Sequence, residues 1–357
     1  MEKHPSSFSF LLLLICLLWY PVKGFHARSF QRDQPEKCNI YDGSWVLDNT
    51  YPLYNASSCP FIGFNCQKDG RPDRQYLKYR WKPNGCQLPR FDGQDFLQRN
   101  RGKMIMFVGD SLSNNMWQSL ICMLYTAVPT SKYTLTQKGR LSTFSLPEHD
   151  VSVMFLKDGF LVQLAFEKEG RILKLDKLND DRMWKAADIL IFNSYHWWMH
   201  RGKFQTWNYF QIGDKLYKDM DHLEAFKIAL GTWVNWVKSN INSTTPKVFW
   251  QGVSAVHLDG REWNGTKGQD CSKQTTPVEG STYPGGPHPG ETAVKSVLAN
   301  SKNINLLDIT LLTQLRKDGH PGAYAGSKPS YKDCSHWCLA GVPDTWNELM
   351  YTSLLQS

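Results

Sequence analysis

The nine cysteines constrain this 357-residue chain more than any other feature. Cys16 lies in an apolar stretch near the start. The others, Cys38, Cys59, Cys66, Cys86, Cys122, Cys271, Cys334 and Cys338, form an even set spread over the rest of the chain. An even cysteine count behind a secretory leader reads as a disulfide framework built in an oxidising compartment. Spacing alone leaves the connectivity open, because eight cysteines allow 105 pairings. No Cys-x-x-Cys pair is present, which argues against a structural zinc site.

The leader agrees with that compartment. Lys3 and His4 precede an apolar run over residues 8–20, short for a membrane span and suited to a signal peptide. Gly24 and Ala27 offer small residues for cleavage. An uncleaved signal anchor is the competing reading, with Trp19 and Tyr20 at a membrane interface; the length favours cleavage. Asn55, Asn242 and Asn264 head Asn-x-Ser/Thr triplets and become glycosylation acceptors in a secretory lumen.

Four regions are expected: residues 1–27 as signal peptide or signal anchor, 28–37 as a short stem, 38–100 as a cysteine-rich subdomain, and 101–357 as the catalytic domain. With 41% hydrophobic and 21% charged residues, the mature chain can bury a substantial core. The formal net charge of +8 is spread rather than clustered, which disfavours nucleic acid and favours an acidic polymer. Fourteen tryptophans either pack the core or stack on sugar rings. Residues 68–82 interleave Arg71, Arg74, Lys78 and Arg80 with Tyr76, Tyr79 and Trp81, a surface that could grip an acidic glycan.

From residue 103 onward the pattern is α/β. Residues 104–108 form a continuous apolar run, as in a buried parallel strand, and residues 114–125 follow with helical spacing. Strands are expected at 151–156 and 160–166 around a turn at Asp158-Gly159, and at 189–192, 248–251 and 304–309. Helices are expected at 223–237 and 345–355. Residues 275–290 read as a long Gly/Pro-rich surface loop. This alternation predicts a mostly parallel sheet with helices on both faces.

Gly109-Asp110-Ser111 sits between the first strand and its helix. Ligand sites form at the carboxyl ends of strands in such sheets, and a helix N-terminus there favours an oxyanion. By itself Ser111 could equally be a helix N-cap. A serine nucleophile needs a base, and the base an orienting acceptor. Asp333-Cys334-Ser335-His336-Trp337-Cys338 offers Asp333 and His336 three residues apart, bracketed by cysteines. Asn193 ends the strand at 189–192 and is a candidate oxyanion donor. His196 and His200 lie four apart, but the glutamate of a His-Glu-x-x-His zinc motif is missing, so no metal is expected. His196, with Trp197 and Trp198, is read as shaping a substrate groove. His257 and Trp337 are further groove candidates.

Gly109-Asp110-Ser111 with a late Asp-x-x-His resembles the GDSL/SGNH hydrolase superfamily. Cys59-Pro60-Phe61, residues 74–81, Phe91-Asp92, residues 107–112, Asn193 with His196-Trp197-Trp198, the Asp333-to-Cys338 motif and Pro343-Asp344-Thr345-Trp346-Asn347 resemble the plant trichome birefringence-like (PC-esterase) family. The likeness runs from about Cys38 to the C-terminus. The resemblance implies an SGNH-type α/β/α sandwich with a mostly parallel sheet, carrying a disulfide-rich N-terminal subdomain. It implies pairs Cys38–Cys86, Cys59–Cys122, Cys66–Cys338 and Cys271–Cys334. It also implies O-acetylation of cell-wall polysaccharide (xylan, mannan or pectin), with Ser111 as nucleophile, His336 as base, Asp333 as its orienter, and Gly109, Asn193 and His196 near the oxyanion or substrate. A pectin acetylesterase with the same triad and a non-catalytic pectin-binding bridge are the alternatives.

No bound cofactor is expected. A transferase needs an acetyl donor, and no coenzyme A signature identifies it. The expected partner is a wall polysaccharide, acidic pectin included, met by a monomer that binds no nucleic acid. The expected location is the Golgi lumen or membrane if the leader is retained, and the cell wall if it is cleaved.

Overall fold

A computed structural model describes residues 38–179, 181–241, 247–326 and 332–356. The leader, the stem and the Asn242 acceptor lie outside the described residues. Cys38–Ser357 forms one compact unit.

The chain enters through a two-stranded antiparallel ribbon, β1 (Gly43–Leu47) and β2 (Tyr79–Pro83), then a short helix α1 (Gly93–Arg99). The α/β body follows. It begins with β3 (Met104–Gly109), α2 (Ser111–Ala127), a β4 (Thr134–Lys138) and β5 (Leu141–Leu146) hairpin, and β6 (Val151–Lys157). Strands β7 (Val162–Glu167), β8 (Gly170–Leu178), β9 (Ile189–Phe192), β10 (Tyr209–Ile212) and β11 (Lys215–Tyr217) come next. Helix α3 (His222–Asn240), β12 (Lys247–Gln251), α4 (Pro289–Leu298), β13 (Ile304–Leu307), α5 (Thr310–Gln314) and α6 (Val342–Leu355) complete it.

Among the described residues the main sheet has seven strands in the order β13-β12-β9-β3-β6-β5-β4. The five from β13 to β6 run parallel, and the β4–β5 hairpin closes the edge antiparallel. Alternation along β3 divides the core. Ile105 and Phe107 pack with α2 and α6 on one face. Met106 and Val108 pack with α3, α4 and the second sheet on the other. A strand buried on both faces must be apolar at every position, which is why residues 104–108 and 189–192 announce themselves in the sequence. The fold is the expected α/β sandwich with a mostly parallel central sheet.

Strands β6 and β7 depart from expectation, because they belong to different sheets. A smaller sheet has the order β11-β10-β8-β7. The buried Asp158 carboxylate accepts the Leu161 N–H and the Asn179 amide, and Leu161 takes a φ of 62°. This turn sends the chain outward instead of back along β6. The Gly/Pro-rich loop is also shorter than expected, since Pro289 opens α4, a position where its missing N–H costs nothing.

Disulfides join Cys38–Cys86, Cys59–Cys122, Cys66–Cys338 and Cys271–Cys334. Cys59–Cys122 and Cys66–Cys338 bind the N-terminal segment to α2 and to the loop before α6. No helix among the described residues is long and apolar enough to cross a membrane.

Candidate active site

Ser111 opens α2 directly after β3, at the carboxyl edge of the central strand. Asp110 caps the helix by accepting the Leu112 N–H. Ser111 is half-buried, and its backbone N–H lies in the first turn, where helix geometry provides no acceptor. The strand exit must be glycine. A Cβ on Gly109 would lie 2.4 Å from the Asn193 carbonyl oxygen and 2.9 Å from the Ser113 Cβ.

Ser111, His336 and Asp333 come together in the structure. Ser111 Oγ lies 2.7 Å from His336 Nε2, and Asp333 Oδ2 lies 2.6 Å from His336 Nδ1. The other Asp333 oxygen accepts from the Ser335 hydroxyl and from the Ser335 and His336 backbone amides. Burial alone would raise the Asp333 pKa. The hydrogen bonds and charge of His336, with the loop amides, overcome that and hold it well below the usual carboxylate range. Asp333 is therefore anionic and accepts from His336 Nδ1, which turns Nε2 toward the Ser111 hydroxyl.

Disulfides and hydrogen bonds fix this loop. Cys271–Cys334 and Cys66–Cys338 hold it on either side of His336. Asp333 and Gly322 exchange backbone hydrogen bonds. Asn115 holds Trp337 with two, its Oδ1 accepting the Trp337 N–H and its Nδ2 donating to the Trp337 carbonyl. Asn115 and Ser111 are one turn apart on α2, so the nucleophile's own helix carries the anchor for the base. Phe64, from the N-terminal segment, stacks on His336 with ring centroids 4.7 Å apart. The sequence reading missed Phe64 and Asn115 as site residues, since neither stands in a motif with a chemical signature.

Asn193 ends β9 beside Gly109 and is 1% exposed, with its Oδ1 unpartnered. Gln251, in the neighbouring position on β12, leaves both of its amide atoms unpartnered. The carboxyl edge of the sheet thus holds polar groups without a protein partner, next to the nucleophile. Asp110 is fully buried, which pushes its pKa up against the Leu112 amide, the nearby His336 charge and further backbone amides. His196 starts a short 3-10 turn behind this edge. Burial, then the neighbouring His336 ring, push its pKa down to about 4, so it is neutral.

Three groove candidates lie elsewhere. Trp198, His257 and Trp337 are each fully buried. Trp198 packs against Phe160 and Phe226 and donates to the Ser194 hydroxyl. Trp337 donates to the Ser254 hydroxyl and packs on Trp346. His257 sits behind the catalytic loop. Large apolar rings next to an apolar sheet bury more surface than a groove wall would. Among the described tryptophans only Trp197 stays partly open, with Lys157 over its ring. A Cβ on Gly159 would lie 2.7 Å from that ring, so glycine there lets the indole approach.

The basic-aromatic segment also turns inward. Arg71, Tyr76 and Trp81 are buried. Arg71 donates to the Asp318 and His320 carbonyls, and Arg80 pairs with Asp48. Arg74 and Lys78 remain exposed, as do the Asn55 and Asn264 acceptors. His200 follows the His196 turn rather than sharing an α-helix with it. Among the described residues no group of three His, Cys, Asp or Glu side chains is placed to hold a metal ion.

Residues 88–353 match the PC-Esterase family, described as a GDSL/SGNH-like acyl-esterase family found in Pmr5 and Cas1p. Residues 36–87 match the PMR5 N-terminal domain. The chain is 55% identical to protein trichome birefringence-like 42 of Arabidopsis thaliana over 351 residues, covering 97% of this chain and 98% of that protein. It is 47% identical to trichome birefringence-like 43 of the same plant, covering 98% and 97%. To the Arabidopsis protein trichome birefringence it is 39% identical, covering 90% of this chain and 56% of that protein. A strand-to-helix serine facing an Asp-x-x-His loop, on a mostly parallel sheet and under a disulfide-bonded N-terminal segment, therefore has its place among known proteins: the chain belongs to the trichome birefringence-like branch of the GDSL/SGNH-like PC-esterase family.

Proposed function

We propose that the protein is a serine-dependent O-acetyltransferase acting on plant cell-wall polysaccharide. The observation that carries this reading is the 2.7 Å contact of Ser111 Oγ with His336 Nε2, backed by Asp333 at 2.6 Å. In the first step Ser111 Oγ attacks the donor's acetyl carbonyl while His336 Nε2 takes the hydroxyl proton. The developing oxyanion is met by the Ser111 backbone N–H at the α2 N-terminus and by the Asn193 side-chain amide. Collapse expels the donor's leaving group, which takes the proton from His336, and leaves acetyl-Ser111. In the second step His336 takes a proton from a sugar hydroxyl, whose oxygen attacks the acetyl carbon. The proton returns to Ser111 Oγ as the sugar ester departs.

Transfer to sugar requires that water be kept from the acetyl-enzyme. Phe64 covers one face of the base, which supports transfer over hydrolysis. Among the described tryptophans Trp197 is the one left open to meet a sugar, and Gly109 lets the strand pass close to Asn193 at the nucleophile. The net charge of +8 favours an acidic acceptor such as pectin. The site of action we propose is the secretory pathway, the Golgi or the cell wall, with the protein acting as a monomer. The acetyl donor is a co-substrate rather than a bound cofactor.

The test is to incubate the purified protein with p-nitrophenyl acetate as donor and de-acetylated xylan, mannan or homogalacturonan oligosaccharides as acceptors. Acetylated pectin is incubated alone in parallel. Acetyl appearing on an oligosaccharide supports the transferase. Acetate released with no glycan acetylated assigns the same triad to a pectin acetylesterase. Pectin binding unchanged in Ser111→Ala, with no turnover in either arm, would leave a non-catalytic pectin-binding protein.

A further inference from the structure

Behind the catalytic loop lie two buried histidines that the acetyl-transfer steps do not use. His257 and His320 are 0% and 2% exposed. They form an unbroken line of short contacts. His320 Nδ1 lies 2.7 Å from the His336 carbonyl oxygen, and His320 Nε2 lies 2.7 Å from His257 Nδ1. His257 Nε2 in turn lies 2.8 Å from the Gln314 carbonyl oxygen.

A carbonyl oxygen only accepts, so the two ends fix protons on His320 Nδ1 and His257 Nε2. A neutral imidazole carries a single N–H. Two neutral rings would then turn bare lone pairs toward each other across 2.7 Å. Flipping either ring does not help, because a ring carbon would then stand at hydrogen-bond distance from its partner. The central contact becomes a hydrogen bond only with another proton in it.

We propose that His257 and His320 hold one extra proton between them at neutral pH, as an imidazole–imidazolium pair, and that this pair is the positioning element holding the main chain of His336 against Ser111. The positioning half rests on the reading of His336 as the base.

The surroundings bear on the charge. Burial opposes it on both rings, pushing the His257 pKa down to about 4 and that of His320 well below its ordinary value; against this, the charge rests on the contact geometry alone. Two carbonyl acceptors, the shared proton and the Trp337 indole, stacked on His320 with centroids 4.0 Å apart, favour it. The groups facing the pair come from several elements. Asp333 and His336 lie on the catalytic loop, and Asp318 and Lys317 on the segment after α5. Arg71 donates to the His320 carbonyl while pairing with Asp73, and Arg316 pairs with the buried Asp318. The Tyr283 ring, with Glu262 beside it, packs near His257. With the extra proton, Arg71, Arg316 and the pair balance Asp73, Asp318 and Asp333.

The experiment is histidine ring nitrogen NMR on the whole protein at pH 7, read as protons per ring. The expected result is three N–H protons across His257 and His320; two neutral rings would overturn the proposal. Catalysis does not enter this readout, so failure of the acetyl-transfer assay leaves it standing. Kinetics test the positioning half. His320→Leu should lower kcat by roughly 10²-fold with KM nearly unchanged. His320→Asn, whose amide still donates to the His336 carbonyl, should recover most of that loss. Equal kcat in Leu, Asn and wild type would overturn the positioning role. If neither variant folds, the ring-proton count decides the proposal.

Discussion

Phe64 lies flat on the His336 imidazole, ring centroids 4.7 Å apart and planes 17° from parallel. A residue of the N-terminal segment thus forms part of the site built by the C-terminal loop, and Cys66–Cys338 fixes the two segments together. Stacking of this kind is worth about 0.5–1.5 kcal/mol. Phe64→Ala should lower kcat by up to about tenfold. On the shielding role proposed for this ring, the same change should also raise acetate release relative to sugar acetylation. A ratio of the two products unchanged from wild type would show that Phe64 does not shield the acetyl-enzyme.

Asp333 orients His336 through Nδ1, so its loss should act on the tautomer rather than on the fold. Asp333→Asn keeps an oxygen for the Ser335 and His336 amides but turns an amide N–H toward the ring. The expected outcome is a kcat reduced by roughly 10⁴ with Tm little changed. Wild-type kcat in this variant would remove Asp333 from the mechanism.

A buried pair of acids on α6 sets a separate pH dependence. Burial pushes Glu348 up to about 7 and Asp344 up to about 6, against hydrogen bonds from Tyr51 and Phe91 to Glu348 and from Ser119, Gly341 and Tyr54 to Asp344. Glu348 Oε2 has no partner. An acid whose pKa is raised by folding binds its proton more tightly in the native state, so stability is full below its unfolded pKa and falls as pH rises to the folded one. From an ordinary value of 4.5 to about 7, the loss for Glu348 is about 3 kcal/mol. Glu348→Gln, which mimics the protonated acid, should flatten the fall in Tm between those limits and raise Tm at pH 8. An unchanged profile would mean that Glu348 is ionised at no stability cost.

The parts of this molecule legible in its sequence are those where one physical demand dominates. Strands β3 and β9, buried on both faces, had to be continuously apolar. Ser111 stood out because a strand, a glycine and a helix meet at its position, and Asp333 with His336 because of their spacing, but it was the family resemblance that joined the three as an expected triad. Strand β4 escaped notice because Thr134–Lys138 is exposed throughout and carries no alternation to read. The groove assignments of Trp198, His257 and Trp337 went astray because an aromatic next to a site motif looks the same in sequence whether it faces a sugar or the core. Phe64, Asn115 and His320 left no local trace. Phe64 and Asn115 act across more than two hundred residues of chain, and His320 links the catalytic loop to His257, through contacts that exist only once the disulfides and the sheet have brought the segments together.

The central claim is that Ser111 carries the acetyl group between donor and acceptor. Its most direct measurement is the intact mass of the protein mixed with p-nitrophenyl acetate in the absence of acceptor, followed by peptide mapping. The account predicts a single added acetyl on Ser111 in the wild type, discharged when the acceptor oligosaccharide is added, and none in Ser111→Ala. Turnover that persists in Ser111→Ala, or an acetyl group that forms on another residue and is delivered to the acceptor from there, would contradict it.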